Sequence, residues 1–135
     1  MRTEPRTREA GWTLIELMVV MSLIGVLATL ALAQYRNSVQ AAKEAVLKAD
    51  LFLMRDAIDQ YYADKGTYPA SLQSLVSEGY LRRIPDDPIT RSADSWTTTN
   101  AEFDPGAATG STGIYDVKSG ADGVALDGSR YADWH

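Results

Sequence analysis

Residues 12–33, WTLIELMVVMSLIGVLATLALA, constrain this chain more than any other stretch, because they carry a single charge, Glu16. As an α-helix the stretch is roughly 33 Å long, about the thickness of a bilayer's hydrocarbon core. It exceeds the apolar part of an ordinary secretory signal, which runs to about 7–15 residues. In front of it, residues 1–11 hold Arg2, Arg6 and Arg8 against Glu4 and Glu9. Positively charged flanks stay on the cytoplasmic side. Residues 1–11 are therefore expected in the cytoplasm and residues 34–135 across the membrane.

The helix is expected to continue. Residues 34–65 contain neither Gly nor Pro and are rich in Ala, Leu, Lys, Glu, Arg and Asp. Tyr35, Val39, Ala42, Val46, Ala49, Leu53 and Ala57 recur every three or four residues, and Leu47, Leu51, Met54, Ile58 and Tyr61 form a row beside them. Together the two rows predict one amphipathic face. Asp64-Lys65-Gly66 reads as a helix end with Gly at the position after the cap. A helix over 12–65 would be roughly 80 Å long, and Gly25 weakens it by only about 1 kcal/mol.

Residues 66–135 form the globular remainder. A short helix entered through Pro69 and ended by Gly79 is expected, then a turn at Pro85-Asp86-Asp87-Pro88. Trp96–Thr99 and Ile114–Val117 are β-rich and predict two paired strands, with a loop over Asp104–Gly113 between them. Residues 119–135 have little periodicity, so they read as a loop that needs something to fix it. A remainder of this size buries little alone, so the helical face at 47–61 must supply the other half of its core. Tyr115, Tyr131 and Trp134 are expected to anchor strand and tail against the helix. Arg82-Arg83 reads as a surface or intersubunit salt-bridge patch.

Several functions are excluded. Thirteen Lys and Arg against eighteen Asp and Glu give a net charge of −5, which argues against binding nucleic acid through its phosphates. There is no Cys, hence no disulfide framework, thiolate zinc site or cysteine nucleophile. The single histidine is His135. No nucleophile–base pair and no phosphate-binding Gly loop is recognisable, so the chain is not expected to be an enzyme.

Glu16 is the first chemically informative residue. A carboxylate in a membrane span costs about 2.5–3.5 kcal/mol on insertion scales and usually faces a partner. The plainer alternative leaves Glu16 tolerated in the headgroup zone. If the chain is cut between Gly11 and Trp12, the new α-amino group of Trp12 is a cation that Glu16 of an adjacent chain could neutralise.

Gly11-Trp12-Thr13-Leu14-Ile15-Glu16-Leu17-Met18-Val19-Val20 resembles the processing motif of type IV pilins and type II secretion pseudopilins. Glu44–Leu51, Asp59–Pro69, Tyr80–Pro88 and Ser119–Trp134 are similar, more narrowly, to G-type pseudopilins. The resemblance implies an α+β, type IV pilin-like fold: a long N-terminal helix, membrane-spanning in its first half, packed on a short helix and a small antiparallel sheet with a C-terminal loop. It implies a leader over 1–11, a transmembrane and filament-core helix over 12–33, an amphipathic continuation over 34–65 and a globular part over 66–135. Gly11 and Trp12 become the processing site and Glu16 the assembly residue, with N-methylation of the first mature residue. That residue is Trp12 where relatives usually have Phe, and Ala33 stands where many carry a kinking Pro.

The acidic tail is the second constellation. Asp116, Asp122, Asp127 and Asp133 lie in a Gly-rich segment. Calcium takes six to eight oxygens from carboxylates and carbonyls, so spaced Asp in an irregular loop suits it, although EF-hand spacing is absent. A solvated acidic loop fits the composition equally well. The resemblance implies a structural Ca²⁺, since G-type pseudopilins hold this loop on one. Carried over by position, Asp122 is a side-chain ligand and Ser119 and Ala121 are carbonyl ligands; the family's later acidic pair has no clean counterpart here, and Asp127 is its best substitute, followed by Asp133 and the Val124 carbonyl. The function so implied is a structural subunit, processed by prepilin peptidase and polymerised into a periplasmic pseudopilus that drives export. Its partners would be other copies of itself, minor pseudopilins, an inner-membrane assembly platform and membrane lipid, with no nucleic acid. The alternative is a type IV pilin of a surface fibre.

Overall fold

The computed structural model describes residues 9–101 and 113–135, and side chains from Thr13 onward. The expected leader, but for the helical backbone of its last residues, and most of the Asp104–Gly113 loop lie outside the described residues. Helix α1 runs Glu9–Lys65, α2 Leu72–Ser77, strand β1 Thr97–Asn100, β2 Ile114–Lys118, and a 3₁₀ turn covers Tyr131–Asp133. The contacts divide the chain into two units, 1–39 and 40–135.

The first unit is helix. It passes Gly25 without interruption and begins at Glu9, on the leader side of the expected processing point. Its hydroxyls turn back onto the helix: Ser22 Oγ donates to the Met18 carbonyl at 2.8 Å, and Thr29 Oγ1 to that of Val26 at 2.7 Å. Such bonds satisfy hydroxyls where neither water nor a neighbour offers a partner. The apolar side chains from Leu14 to Leu32 are all exposed. This helix is long and apolar enough to cross a membrane.

In the second unit, the last part of α1 supplies one wall of the core. Leu47, Leu51, Met54, Ala57 and Ile58 are buried against Leu72 and Leu75 of α2, Leu81, Trp96, Ile114 and Val117. The other expected row is not covered: Val46 and Leu53 are each 50% exposed, and Tyr35 is 67% exposed. The small C-terminal unit has area for one stripe only, so Ala57 alone of that row is buried. Helix α1 ends as expected at Lys65, with Gly66 at φ 70°, a left-handed conformation that favours glycine. Helix α2 is capped by Ser71, whose Oγ accepts from Ser74 N at 3.2 Å. Pro69 is instead buried, and its carbonyl accepts from Ile114 N at 2.8 Å.

The two strands pair antiparallel as predicted, Thr97 opposite Lys118 and Asn100 opposite Ile114, with an irregularity at Thr99/Asn100. Tyr115 is left without a cross-strand partner in that register. The bulge lets Ile114 and Val117 both face the core, although strict alternation would separate them. Tyr115 is 47% exposed on its strand, and its ring meets Tyr68, which stacks on Tyr62 of α1. Tyr131 and Trp134 are buried and meet edge to face at 5.2 Å. Arg82 and Arg83 are exposed and form no salt bridge among the described residues.

Candidate functional site

At the N-terminal end, Gly11 and Trp12 lie in the backbone of α1, and nothing beyond that is described for them. Glu16 is exposed on the same helix, between Ile15 and Leu17, which are 63% and 57% exposed. A carboxylate set in such an apolar surface costs about 2.5–3.5 kcal/mol in hydrocarbon and usually faces a partner.

The tail is more ordered than a loop. Val124 bridges Arg130, Ala125 N donates to the Ser129 carbonyl at 2.7 Å, and Tyr131 N to that of Gly123 at 3.2 Å. The turn between them carries Gly128 at φ 85°. Asp127 Oδ1 accepts from Ser129 N at 2.9 Å and from its hydroxyl at 2.5 Å. These bonds, the hydroxyl foremost, hold the Asp127 carboxyl below its usual range. Ser129 Oγ in turn accepts from Trp134 Nε1 at 2.7 Å. Asp127-Gly128 is a turn signal, and the glycine takes the left-handed position of this turn.

Four side chains tie this hairpin and its flanks to the rest of the unit. Glu44 on α1 accepts from Leu126 N at 3.0 Å and from the Tyr131 hydroxyl at 2.9 Å. Gln40 Nε2 donates to that same hydroxyl at 3.2 Å. Burial first, opposed by Gln40 and reinforced by Glu44, raises the Tyr131 phenol above its ordinary value. Asp87, fully buried, accepts from Ile89 N at 2.8 Å, Thr90 N at 3.3 Å and the Ser119 hydroxyl. Arg55 Nε donates to Asp116 Oδ1 at 2.8 Å, and its Nη2 donates to the Val117 and Trp134 carbonyls, each at 2.9 Å.

The carboxylates among the expected calcium ligands are not gathered into one donor set. Ser119 and Ala121 are buried, with the Ser119 hydroxyl held by Asp87 and accepting from Ala121 N at 3.2 Å. Asp122 is exposed and Asp127 is engaged with Ser129. The Val124 carbonyl faces Gln40 Nε2 at 3.5 Å, and Asp133 sits in the 3₁₀ turn. Asp127 and Asp133 border a cleft of about 660 Å³ shared with Lys48, Arg55, Trp134 and His135, and Asp122 does not line it. Among the described residues, no three His, Asp or Glu side chains come together as a metal group. Calcium needs six to eight oxygens, and the carboxylates of Asp122, Asp127 and Asp133 do not converge to share in such a set. Arg55, Glu44 and Asp87, which do hold the tail, were not singled out by the sequence. The available signal was a charged residue, Arg55, set beside the apolar row Leu51, Met54 and Ile58.

Comparison with known proteins agrees with this architecture. A family described as "Prokaryotic N-terminal methylation motif" matches residues 6–32. The chain is 31% identical to type II secretion system core protein G of Klebsiella pneumoniae, over 94% of this chain and 95% of that protein. It is 32% identical to the protein of that name from Pseudomonas aeruginosa, over 95% and 94%. The Escherichia coli K12 protein is 31% identical over 94% and 92%. No solved structure matches significantly.

Proposed function

The chain belongs to the family of type II secretion system core protein G, and we propose that it is a pseudopilus subunit: a membrane-inserted precursor, cut by prepilin peptidase and polymerised into a periplasmic filament that drives protein export. The observation that carries this reading is similarity over 94% or more of the chain. It takes in the C-terminal unit as well as the processing motif at 6–32.

The physics of the first unit supports the same reading. Its apolar side chains from Leu14 to Leu32 have no cover within the subunit, and apolar surface left in water costs roughly 25 cal/mol per Å². Lipid covers that surface in the single-pass inner-membrane precursor, and the helices of neighbouring subunits cover it in the filament. Cleavage after Gly11 gives Trp12 an α-amino group, which N-methylation modifies. Glu16 of the adjacent subunit neutralises it. Because an unpaired charge in a low-dielectric core is costly, the pair fixes the register between subunits. Minor pseudopilins and an inner-membrane assembly platform are the partners such a filament requires.

The test is genetic and structural. Loss of this chain should stop export by its secretion system, and the wild-type gene should restore it. Glu16→Ala should be processed normally yet yield few filaments and little export. Unimpaired export without the chain would overturn the filament reading, and normal filaments from Glu16→Ala would remove the charge pair from it.

A further inference from the structure

A bound divalent cation would fix an irregular tail by gathering carboxylate and carbonyl oxygens around one positive charge. In this chain such a gathering exists, and its centre is a side chain. The Arg55 guanidinium holds the Asp116 carboxylate at 2.8 Å and the Val117 and Trp134 carbonyls at 2.9 Å each. It thereby joins three places far apart in sequence: α1, strand β2 and the C-terminal segment. The charge is partly shielded, with Arg55 and Asp116 side chains 23% and 19% exposed. Asp116 Oδ1 also accepts from Val117 N at 2.8 Å, so the carboxylate is fixed from both sides.

We propose that Arg55 is a built-in cation that fixes the C-terminal segment of this protein, so that the order of the segment does not require a bound ion. The geometry suits arginine in particular. A guanidinium offers donors in a rigid planar fork, remains charged at any physiological pH, and reaches carboxylate and carbonyls at once. Lysine, a point charge on a flexible stem, could hold one of these oxygens but not all three in this arrangement. Of the other candidate carboxylates, Asp127 is engaged with Ser129, and Asp122 does not border the cleft that Asp127 and Asp133 share with Arg55. Arg55 acts as a positioning residue. Its consequence is a tail whose order does not depend on calcium, and this holds whether or not the filament reading stands.

The experiment uses the full chain in detergent micelles, with thermal melting and amide exchange measured in calcium, in magnesium and in excess EGTA. Wild type should give one midpoint in all three, and Asp122→Ala should match it. Arg55→Lys keeps the charge but loses the fork. It should speed exchange of the tail amides of Tyr131, Asp133 and Trp134 about tenfold or more, as expected for lost hydrogen bonds to a charged group, while amides of α2 change little. Asp116→Asn should speed the same amides, and calcium should restore neither variant. A calcium-specific rise in the wild-type midpoint, abolished by EGTA and by Asp122→Ala, would overturn the proposal. So would tail exchange unchanged in Arg55→Lys and Asp116→Asn. The comparison of wild type in calcium and EGTA decides the matter even if an Arg55 variant fails to fold.

Discussion

The buried carboxylate of Asp87 accepts a hydrogen bond from the hydroxyl of Ser119, 32 positions further along the chain. Both side chains are shut away from water, at 0% and 1% exposure, and the bond ties the turn after α2 to the start of the tail. Beside it, Gly120 passes so near Ser95 that a Cβ there would fall 1.9 Å from the Ser95 carbonyl oxygen. The two segments are therefore locked by close approach as well as by a charge-assisted bond.

Ser119→Ala leaves one oxygen of a buried carboxylate without its donor. The expected loss is about 1.5–3 kcal/mol, the usual worth of a hydrogen bond to a charged group. Denaturant unfolding of the C-terminal unit within the full chain measures it through the midpoint at unchanged slope.

The two rows on α1 predict opposite responses to truncation. Met54 is fully buried and Leu53 half exposed. Met54→Ala should cost about 2–5 kcal/mol through lost burial and the cavity left behind. Leu53→Ala should stay within about 0.5 kcal/mol for the subunit alone. Unfolding curves of the two variants, recorded side by side, check the contrast.

That contrast also marks what the sequence makes legible. Periodicity identifies both rows, and Asp64-Lys65-Gly66 marks the helix end correctly, because spacing and cap chemistry are local properties. Which row is covered depends on how much surface α2, Trp96 and the tail bring to the helix, and that is not local. The tail was harder still. Its acidic spacing suits a metal loop, whereas Asp127 instead binds Ser129 and the order comes from Arg55, Glu44 and Asp87. These partners lie from 32 to 87 residues away in the chain, beyond the reach of any motif. The N-terminal motif, by contrast, is a contiguous string, so the family match over residues 6–32 is legible from the sequence alone.

Asp50 gives the protein a pH signature. Its carboxyl is raised above the ordinary range, first by burial, then by Asp87, with Arg83 opposing and Asp86 adding to the rise. A raised carboxyl disfavours folding wherever it must ionise, so the penalty is absent below the unfolded value of about 4 and complete above the folded value. Asp50→Asn removes the group. Its melting midpoint should exceed that of wild type at neutral pH, and the excess should vanish as pH falls below about 4. An excess that does not change with pH would contradict this assignment.

The account stands most directly on what happens between Gly11 and Trp12. The decisive measurement is the intact mass of the protein isolated from cells that contain the prepilin peptidase. The expected mature chain lacks residues 1–11, starts at Trp12 and carries one added methyl group, while Gly11→Ala retains the leader. A wild-type protein assembled in the membrane with residues 1–11 still attached would contradict it.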